Sequence, residues 1–186
     1  MKLERFKKSL EASLIVKMGD YDYFVHPITD GIPRMDPSIL AEIICELKKI
    51  GDFHCDVIVA PESMGIPIAV PLSLEMGIPY NIVRKKRFGL PGEVNISQVT
   101  SYSRTEMFIN GISKGDRIMI VDSVLSSGGT LKALIKGLRK TGAKVVDVLV
   151  VVEKGNQKKL LEKELGIKIK TLVKIDVTDK KIKILP

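Results

Sequence analysis

The sequence predicts an α/β protein, a parallel sheet flanked by helices, and three observations support that expectation. Short apolar runs recur at residues 56–60 (DVIVA), 117–121 (RIMIV) and 145–152 (VVDVLVVV) without regular polar alternation, the mark of strands buried on both faces. The stretches between them place apolar residues at helical spacing. Each run passes directly into a loop of small, polar or charged residues, as where strands and helices alternate. A chain of 186 residues fits a single domain at ~100–200 residues per domain.

In chain order, residues 1–14 mix Lys2, Glu4, Arg5, Lys7, Lys8 and Glu11 with Leu and Phe and read as a short helix. Residues 21–33 are rich in aromatics, Pro and Gly and read as irregular. Asp36 before Pro37 is a helix start, an N-cap acid with Pro in the first turn. Ile39, Leu40, Ile43, Ile44 and Leu47 follow at helical spacing, and Gly51 ends the helix. After the strand at 56–60, residues 65–76 form a helix closed by Gly77, and a strand at 80–83 runs into Arg84, Lys85, Lys86 and Arg87. Residues 89–92 are a loop and 93–109 a polar extended excursion. The strand at 117–121 is closed by Asp122, and the helix at 131–141 is stopped by Gly142. A strand at 145–152, a helix at 157–165 and a strand at 168–173 follow.

Hydrophobic residues make up 45% and charged residues 28% of the chain, which supports a packed core and excludes general disorder. No stretch reaches the ~18 unbroken apolar residues of a membrane span. The N-terminus lacks the apolar centre of a signal peptide, so a cytoplasmic protein without membrane association is expected. Cys45 and Cys55 read as reduced core thiols, and no CxxC, HExxH or His cluster suggests structural zinc. The net charge is +8, with 30 Lys and Arg against 22 Asp and Glu, and ten Lys against four acids from residue 154 onward. Such a surplus attracts nucleic acid or polyphosphate. It equally suits a solvated, ion-paired surface, and that is the expectation adopted.

In parallel sheets, ligands bind beyond the carboxyl ends of the strands. Residues 61–65, 84–87, 122–130 and 153–155 all qualify. In the third segment an apolar strand ends in Asp122, and Ser126, Ser127, Gly128, Gly129 and Thr130 precede a helix. Glycines let backbone N–H groups converge, the helix start adds its positive dipole end, and the hydroxyls add donors. This is a cradle for one phosphate, with Asp122 able to accept from sugar hydroxyls. On spacing alone, a plain strand–turn–helix capped by Asp122 remains an alternative. It is neither a Walker A loop nor a dinucleotide fingerprint, because GxxxxGK[ST] and GxGxxG are absent.

Residues 121–130 resemble the phosphoribosyl diphosphate (PRPP) signature of type I phosphoribosyltransferases. Pro61, Glu62, Ser63, Met64 and Gly65 are similar to the pyrophosphate loop of the adenine and xanthine enzymes. Arg84 and Lys85, followed by Leu90, Pro91, Gly92 and Glu93, resemble the segment after the next strand in the adenine enzymes. Ser101, Tyr102 and Ser103 lie where that family has its mobile catalytic loop. Val152, Glu153, Lys154 and Gln157 resemble the corresponding strand end of the xanthine enzymes. The match runs in order from about residue 24 to 175. The overall likeness is to the archaeal hypoxanthine/guanine phosphoribosyltransferases, which are adenine/xanthine-like in sequence.

The resemblance implies a type I phosphoribosyltransferase fold with a small hood, from about residues 18–36 and the C-terminal part, and a mobile loop at about 93–106. It implies that Ser126, Ser127, Gly128, Gly129 and Thr130 hold the 5′-phosphate and that Asp122 and Ser123 hold the ribose. Glu62, Ser63, Met64, Gly65, Arg84 and Lys85 would hold the pyrophosphate. Asp122, Tyr102 and Arg84 are the implied catalytic groups, and Asp122 is the implied ligand of Mg2+. The family usually has a second acid after the first, and here Ser123 stands there. Ser126 stands where mammalian-type hypoxanthine enzymes carry an acid. Lys154 suits an oxygen at purine C6, and Val25 and His26, with nearby Tyr and Phe residues, are candidates for stacking on the base. The family also suggests a homodimer or higher homo-oligomer.

The implied reaction joins PRPP to a purine base, hypoxanthine first and guanine second, giving IMP or GMP and pyrophosphate. Breaking the anomeric bond puts positive charge on the ribose and negative charge on pyrophosphate. Positioned cations and Mg2+ would stabilise the leaving anion while Asp122 faces the ring cation. Two alternatives stand beside it. One is adenine as the base. The other, prompted by the lysine-rich C-terminal part, is a PRPP-responsive regulator that binds nucleic acid.

Overall fold

The computed structural model describes residues 3–19, 21–99, 104–178 and 180–186. Helix α1 (Glu4–Glu11) precedes the antiparallel pair β1 (Leu14–Met18) and β2 (Tyr21–Val25), then the single turn α2 (Pro27–Asp30) and α3 (Pro37–Ile50). Strand–helix alternation follows with β3 (Val57–Pro61), α4 (Ile66–Met76) and β4 (Tyr80–Val83). A second antiparallel pair, β5 (Val94–Val99) and β6 (Arg104–Ile109), leads to β7 (Arg117–Leu125) and α5 (Gly129–Lys140). The chain continues with β8 (Lys144–Lys154), α6 (Lys158–Leu165), β9 (Lys170–Thr178) and β10 (Lys181–Leu185).

The main sheet has the order β10-β9-β8-β7-β3-β4. Its pairs are parallel except β9–β10. Successive residues of a strand point to opposite faces, and here both faces are apolar. Ile58, Ala60, Met119, Val121, Leu149 and Val151 pack with residues of α1, α3 and α4. Val59, Ile118, Ile120, Val148 and Val150 pack with α5, α6 and the β5–β6 pair. Helices therefore cover both faces, as the unbroken apolar runs require. The order also fixes the position of a site. From β3 the chain steps outward to β4, whereas from β7 it steps the other way to β8 and β9. The crevice at this reversal lies beyond the ends of β3 and β7, where open α/β sheets bind ligands.

Several local expectations hold. Asp36 caps α3 by accepting from the Ser38 N–H at 2.7 Å, and β4 has the bounds read from the sequence. Others are corrected. Residues 21–33 are irregular only in part, because residues 21–25 form β2, which pairs with β1 from Leu14↔Val25 to Met18↔Tyr21, and 27–30 form α2. Asp122 does not close β7: the strand runs on to Leu125, held by the pairing of Asp122, Val124 and Leu125 with Val150, Val152 and Glu153. The strand expected at 168–173 extends to Thr178 because β10 folds back on it. Cys55 is buried, but Cys45 is exposed, since it lies on the outer side of α3 beside the buried Ile43, Ile44 and Leu47. Of the C-terminal lysines, Lys158 and Lys174 pair with Glu153, and Lys170 with Asp147. That removes part of the free surplus that prompted the regulator alternative. Among the described residues, no helix is long and apolar enough to cross a membrane.

His26, a candidate for the hood over the base but expected to be structural rather than catalytic, is 2% exposed and structural, and it does not face the base site. Its Nδ1 accepts from the Ile28 N–H at 3.0 Å, capping α2, and its Nε2 lies 3.0 Å from Ser9 Oγ, which itself donates to the Phe6 carbonyl. That arrangement needs a neutral ring with its proton on Nε2. Burial accordingly pushes the imidazole down from its usual 6.5 to about 4, with Asp30 partly opposing. The unfolded chain takes up this proton first, so the contribution is complete above pH 6.5 and is lost as pH falls towards 4. We expect a loss of about 3 kcal/mol at most across that window. Urea midpoints measured from pH 7 to 4 should fall more steeply for the wild type than for His26→Asn, which keeps a capping acceptor.

Candidate active site

The ends of β3, β7 and β8, with β2 and Thr29 of α2, line a cavity of about 230 Å³. Along one wall, β7 gives way to Ser126, Ser127 and Gly128 before α5 begins. No side chain caps α5, so its first-turn N–H groups have no intrahelical partner and form an anion site. Gly128 makes this turn possible. It has φ +77, and a Cβ there would collide with the side chain of Leu161 in α6. Thr130 also lines the cavity, and Ser126 Oγ lies 3.0 Å from the Tyr21 hydroxyl. Gly129, the first residue of α5, is not among the lining residues.

Asp122 lies inside β7 rather than at its tip and is half-buried. Burial raises its carboxyl from 3.8 to about 7, against the pull of the Ser123 N–H, which donates to its Oδ1 at 2.7 Å. Ser123, expected to share the ribose, is buried and does not line the cavity. Strand alternation turns it away from Asp122.

The second wall is the loop after β3, where Glu62, Ser63 and Met64 line the cavity. The Glu62–Ser63 peptide is cis. Gly65 is fixed by close approach rather than by φ, since a Cβ would stand 2.9 Å from the Pro61 carbonyl oxygen and 3.0 Å from Ala60 Cβ. Glu62 gathers the basic segment after β4. Its Oε2 lies 2.8 Å from Arg84 Nε and accepts from the Lys85 N–H at 3.1 Å. Lys85 lines the cavity and Arg84 does not. Arg84 is anchored through its backbone, which exchanges hydrogen bonds with Phe108.

The third wall carries Lys154 at the end of β8. Its Nζ donates to the Asp22 carbonyl at 2.6 Å and sits 3.8 Å from the Tyr21 ring centroid. Tyr21, Tyr23, Phe24 and Thr29 complete this side, while Val25 and His26 do not line it. The sequence offered the Tyr and Phe residues only as a group, and Thr29 not at all. Strand alternation does not account for this set, because the adjacent Tyr23 and Phe24 both line the cavity while Val25 does not. Tyr102 and its neighbours Ser101 and Ser103 lie outside the described residues.

Among the described residues, no group of three or more His, Cys, Asp or Glu gathers as a metal cage. A single desolvated carboxylate beside a phosphate cradle nevertheless suits Mg2+, which keeps its waters and is shared between one or two carboxylates and substrate phosphates.

A switch-point crevice that sets the start of a helix and two serines beside a desolvated carboxylate has the makings of a site for a phosphorylated ligand in an α/β protein. Comparison with known proteins makes this specific. The family described as "Phosphoribosyl transferase domain" matches residues 38–179. The chain is 49% identical over 181 residues to the hypoxanthine/guanine phosphoribosyltransferase of Methanobacterium lacus, covering 97% of this chain and 95% of that protein. It is 47% identical over 180 residues to the protein of the same name from Methanocaldococcus jannaschii, covering 96% and 98%. Among solved structures, adenine phosphoribosyltransferase from Thermoanaerobacter pseudethanolicus superposes with a TM-score of 0.73 at 24% identity, covering 92% of this chain and 99% of that one. That likeness concerns the fold. The chain belongs to the phosphoribosyltransferase family.

Proposed function

We propose that the protein transfers the 5-phosphoribosyl group of PRPP to hypoxanthine, and secondly to guanine, yielding IMP or GMP and pyrophosphate in purine salvage. The observation that carries this reading is that one cavity joins a phosphate cradle, a desolvated carboxylate and a fixed ammonium, Lys154. The near-full-length relatives named for this activity support it. The first-turn amides of α5, with Ser126, Ser127 and Thr130, grip the 5′-phosphate. Asp122 accepts from ribose hydroxyls and, ionised, stabilises positive charge growing on the ring. Lys85, the loop at Glu62, Ser63 and Met64, and Arg84 once released from Glu62 receive the departing pyrophosphate. Mg2+, held by Asp122 together with the substrate, would neutralise the leaving group. This is preorganised electrostatics without a covalent intermediate. The protein is further proposed to act in the cytoplasm as a homodimer or larger.

Pyrophosphate release measured with each of four purine bases tests the reading. Hypoxanthine should turn over fastest, guanine next and adenine least, and adenine turnover without hypoxanthine turnover would overturn it. Lys154→Met removes a charged donor worth about 1.5–3 kcal/mol. It should lower kcat/KM for hypoxanthine about ten- to hundredfold while leaving KM for PRPP within a few-fold of wild type.

A further inference from the structure

The reaction as derived above leaves one polar cluster of the cavity wall without a role. Tyr23 and Thr29 line the cavity together with Lys154, and Asp30, next in the chain, does not. The Tyr23 hydroxyl donates to Asp30 Oδ1 at 2.5 Å, and Thr29 Oγ1 has two acceptors for its one proton, Asp30 Oδ2 at 2.6 Å and, farther off, the His26 carbonyl at 3.1 Å. The same Oδ2 accepts from the backbone N–H of His26 at 3.0 Å, which ties the carboxylate to the start of α2. An ionised carboxylate only accepts, and a hydroxyl has one proton to give. With the Tyr23 proton turned to Asp30 and the Thr29 proton to Asp30 or the His26 carbonyl, neither hydroxyl has a proton left for the base, so each can meet it only as an acceptor. Lys154 is opposite in kind: an ammonium only donates, and one of its protons goes to the Asp22 carbonyl.

This part of the cavity therefore has a set polarity, with a donor at Lys154 and acceptors at Tyr23 and Thr29. The edge of a 6-oxopurine is complementary, since O6 accepts and N1–H donates, and guanine adds a donating 2-amino group. Adenine presents the reverse, a donating 6-amino group and an accepting N1. We propose that Asp30 is the positioning residue that excludes adenine, by holding the protons of Tyr23 and Thr29 away from the base. The inference deepens the function proposed above and rests on it. An amide at position 30 would break the arrangement, because its NH2 donates and frees a hydroxyl to turn its own proton towards the base.

The test measures kcat/KM for hypoxanthine and for adenine at saturating PRPP in the wild type, Asp30→Asn and Tyr23→Phe, with KM for PRPP alongside. Sites built on directed hydrogen bonds discriminate strongly against analogues of the wrong polarity. Asp30→Asn should lower the hypoxanthine-to-adenine ratio by about tenfold or more, as KM for hypoxanthine rises and KM for adenine falls, with KM for PRPP unchanged. Tyr23→Phe should lower the ratio through hypoxanthine alone. A role confined to folding would lower both bases alike, so an unchanged ratio in both variants overturns the proposal whatever happens to the absolute rates. Should Asp30→Asn not fold, Tyr23→Phe, which keeps the bond between His26 and Asp30, decides by the same ratio. A wild type that prefers adenine overturns the underlying function as well. A wild type that prefers hypoxanthine, with unchanged ratios in the variants, overturns the role of Asp30 alone.

Discussion

Asp122→Asn should make the ligand-free protein more stable above neutral pH and a far poorer enzyme. The carboxyl is raised from 3.8 to about 7 by burial inside β7, so the native state holds its proton more tightly than the unfolded chain. The associated stability is complete below about pH 4 and is lost as pH rises through 7. Ionising this group in the folded protein costs about 4 kcal/mol at most by pH 8, and less in practice because the carboxyl is only half-buried. Asn keeps an oxygen for the Ser123 N–H, which donates to Asp122 Oδ1 in the wild type, and carries no charge. Its melting temperature should therefore change less between pH 5 and 8 than that of the wild type and exceed it at pH 8. Activity should move the other way. A charge aimed at a developing cation is worth roughly 10²–10³ in rate, so pyrophosphate release should fall by about that factor. A variant that is both less stable at pH 8 and fully active would show that Asp122 is a structural residue. The same comparison repeated with PRPP and Mg2+ should narrow the stability gap, because bound cations favour the ionised carboxylate.

Gly128→Ala should disable the phosphate cradle by geometry. The residue sits at φ +77, where a side chain is strained, and its Cβ would meet three atoms of Leu161. The left-handed backbone costs ~1–2 kcal/mol for an L-residue, and forcing a methyl into the packed contact with α6 adds ~1–3 kcal/mol. Leu161 is packed in the core beneath α6 and has little room to rotate, so the strain is passed to the turn between β7 and α5, which carries Ser126, Ser127 and the first amides of α5. KM for PRPP and the dissociation constant for IMP should therefore rise about tenfold or more, on the scale of one or two lost charge-assisted hydrogen bonds. Gly166→Ala separates the two costs. Gly166 also has positive φ, +62, but a Cβ there meets nothing within 4 Å. It should lower stability by only ~1–2 kcal/mol and leave nucleotide affinity unchanged. Equal losses of affinity in both variants would mean that the cradle does not depend on the contact with Leu161.

What could be read from residues alone was what neighbouring residues encode. The bounds of β4, the Asp36 cap of α3 and the turn from Ser126 through Gly128 into α5 all depend on spacing within a few positions. Apolar period, capping chemistry and glycine freedom act over that range. The family resemblance likewise rested on contiguous motifs. What escaped was made by partners distant in the chain. The Asp122 carboxyl is desolvated where β8 keeps pairing with β7 beyond it, and no residue beside Asp122 announces that. Lys154 is aimed by the Asp22 carbonyl 132 positions away, and Ser126 meets Tyr21 across 105. The structural role expected of His26 holds, but its partners, Ser9 of α1 and the Ile28 N–H, show only in the fold. Local propensities choose helices, strands and turns at short range. Desolvation and the direction of a hydrogen bond belong to surfaces brought together only after the chain has folded.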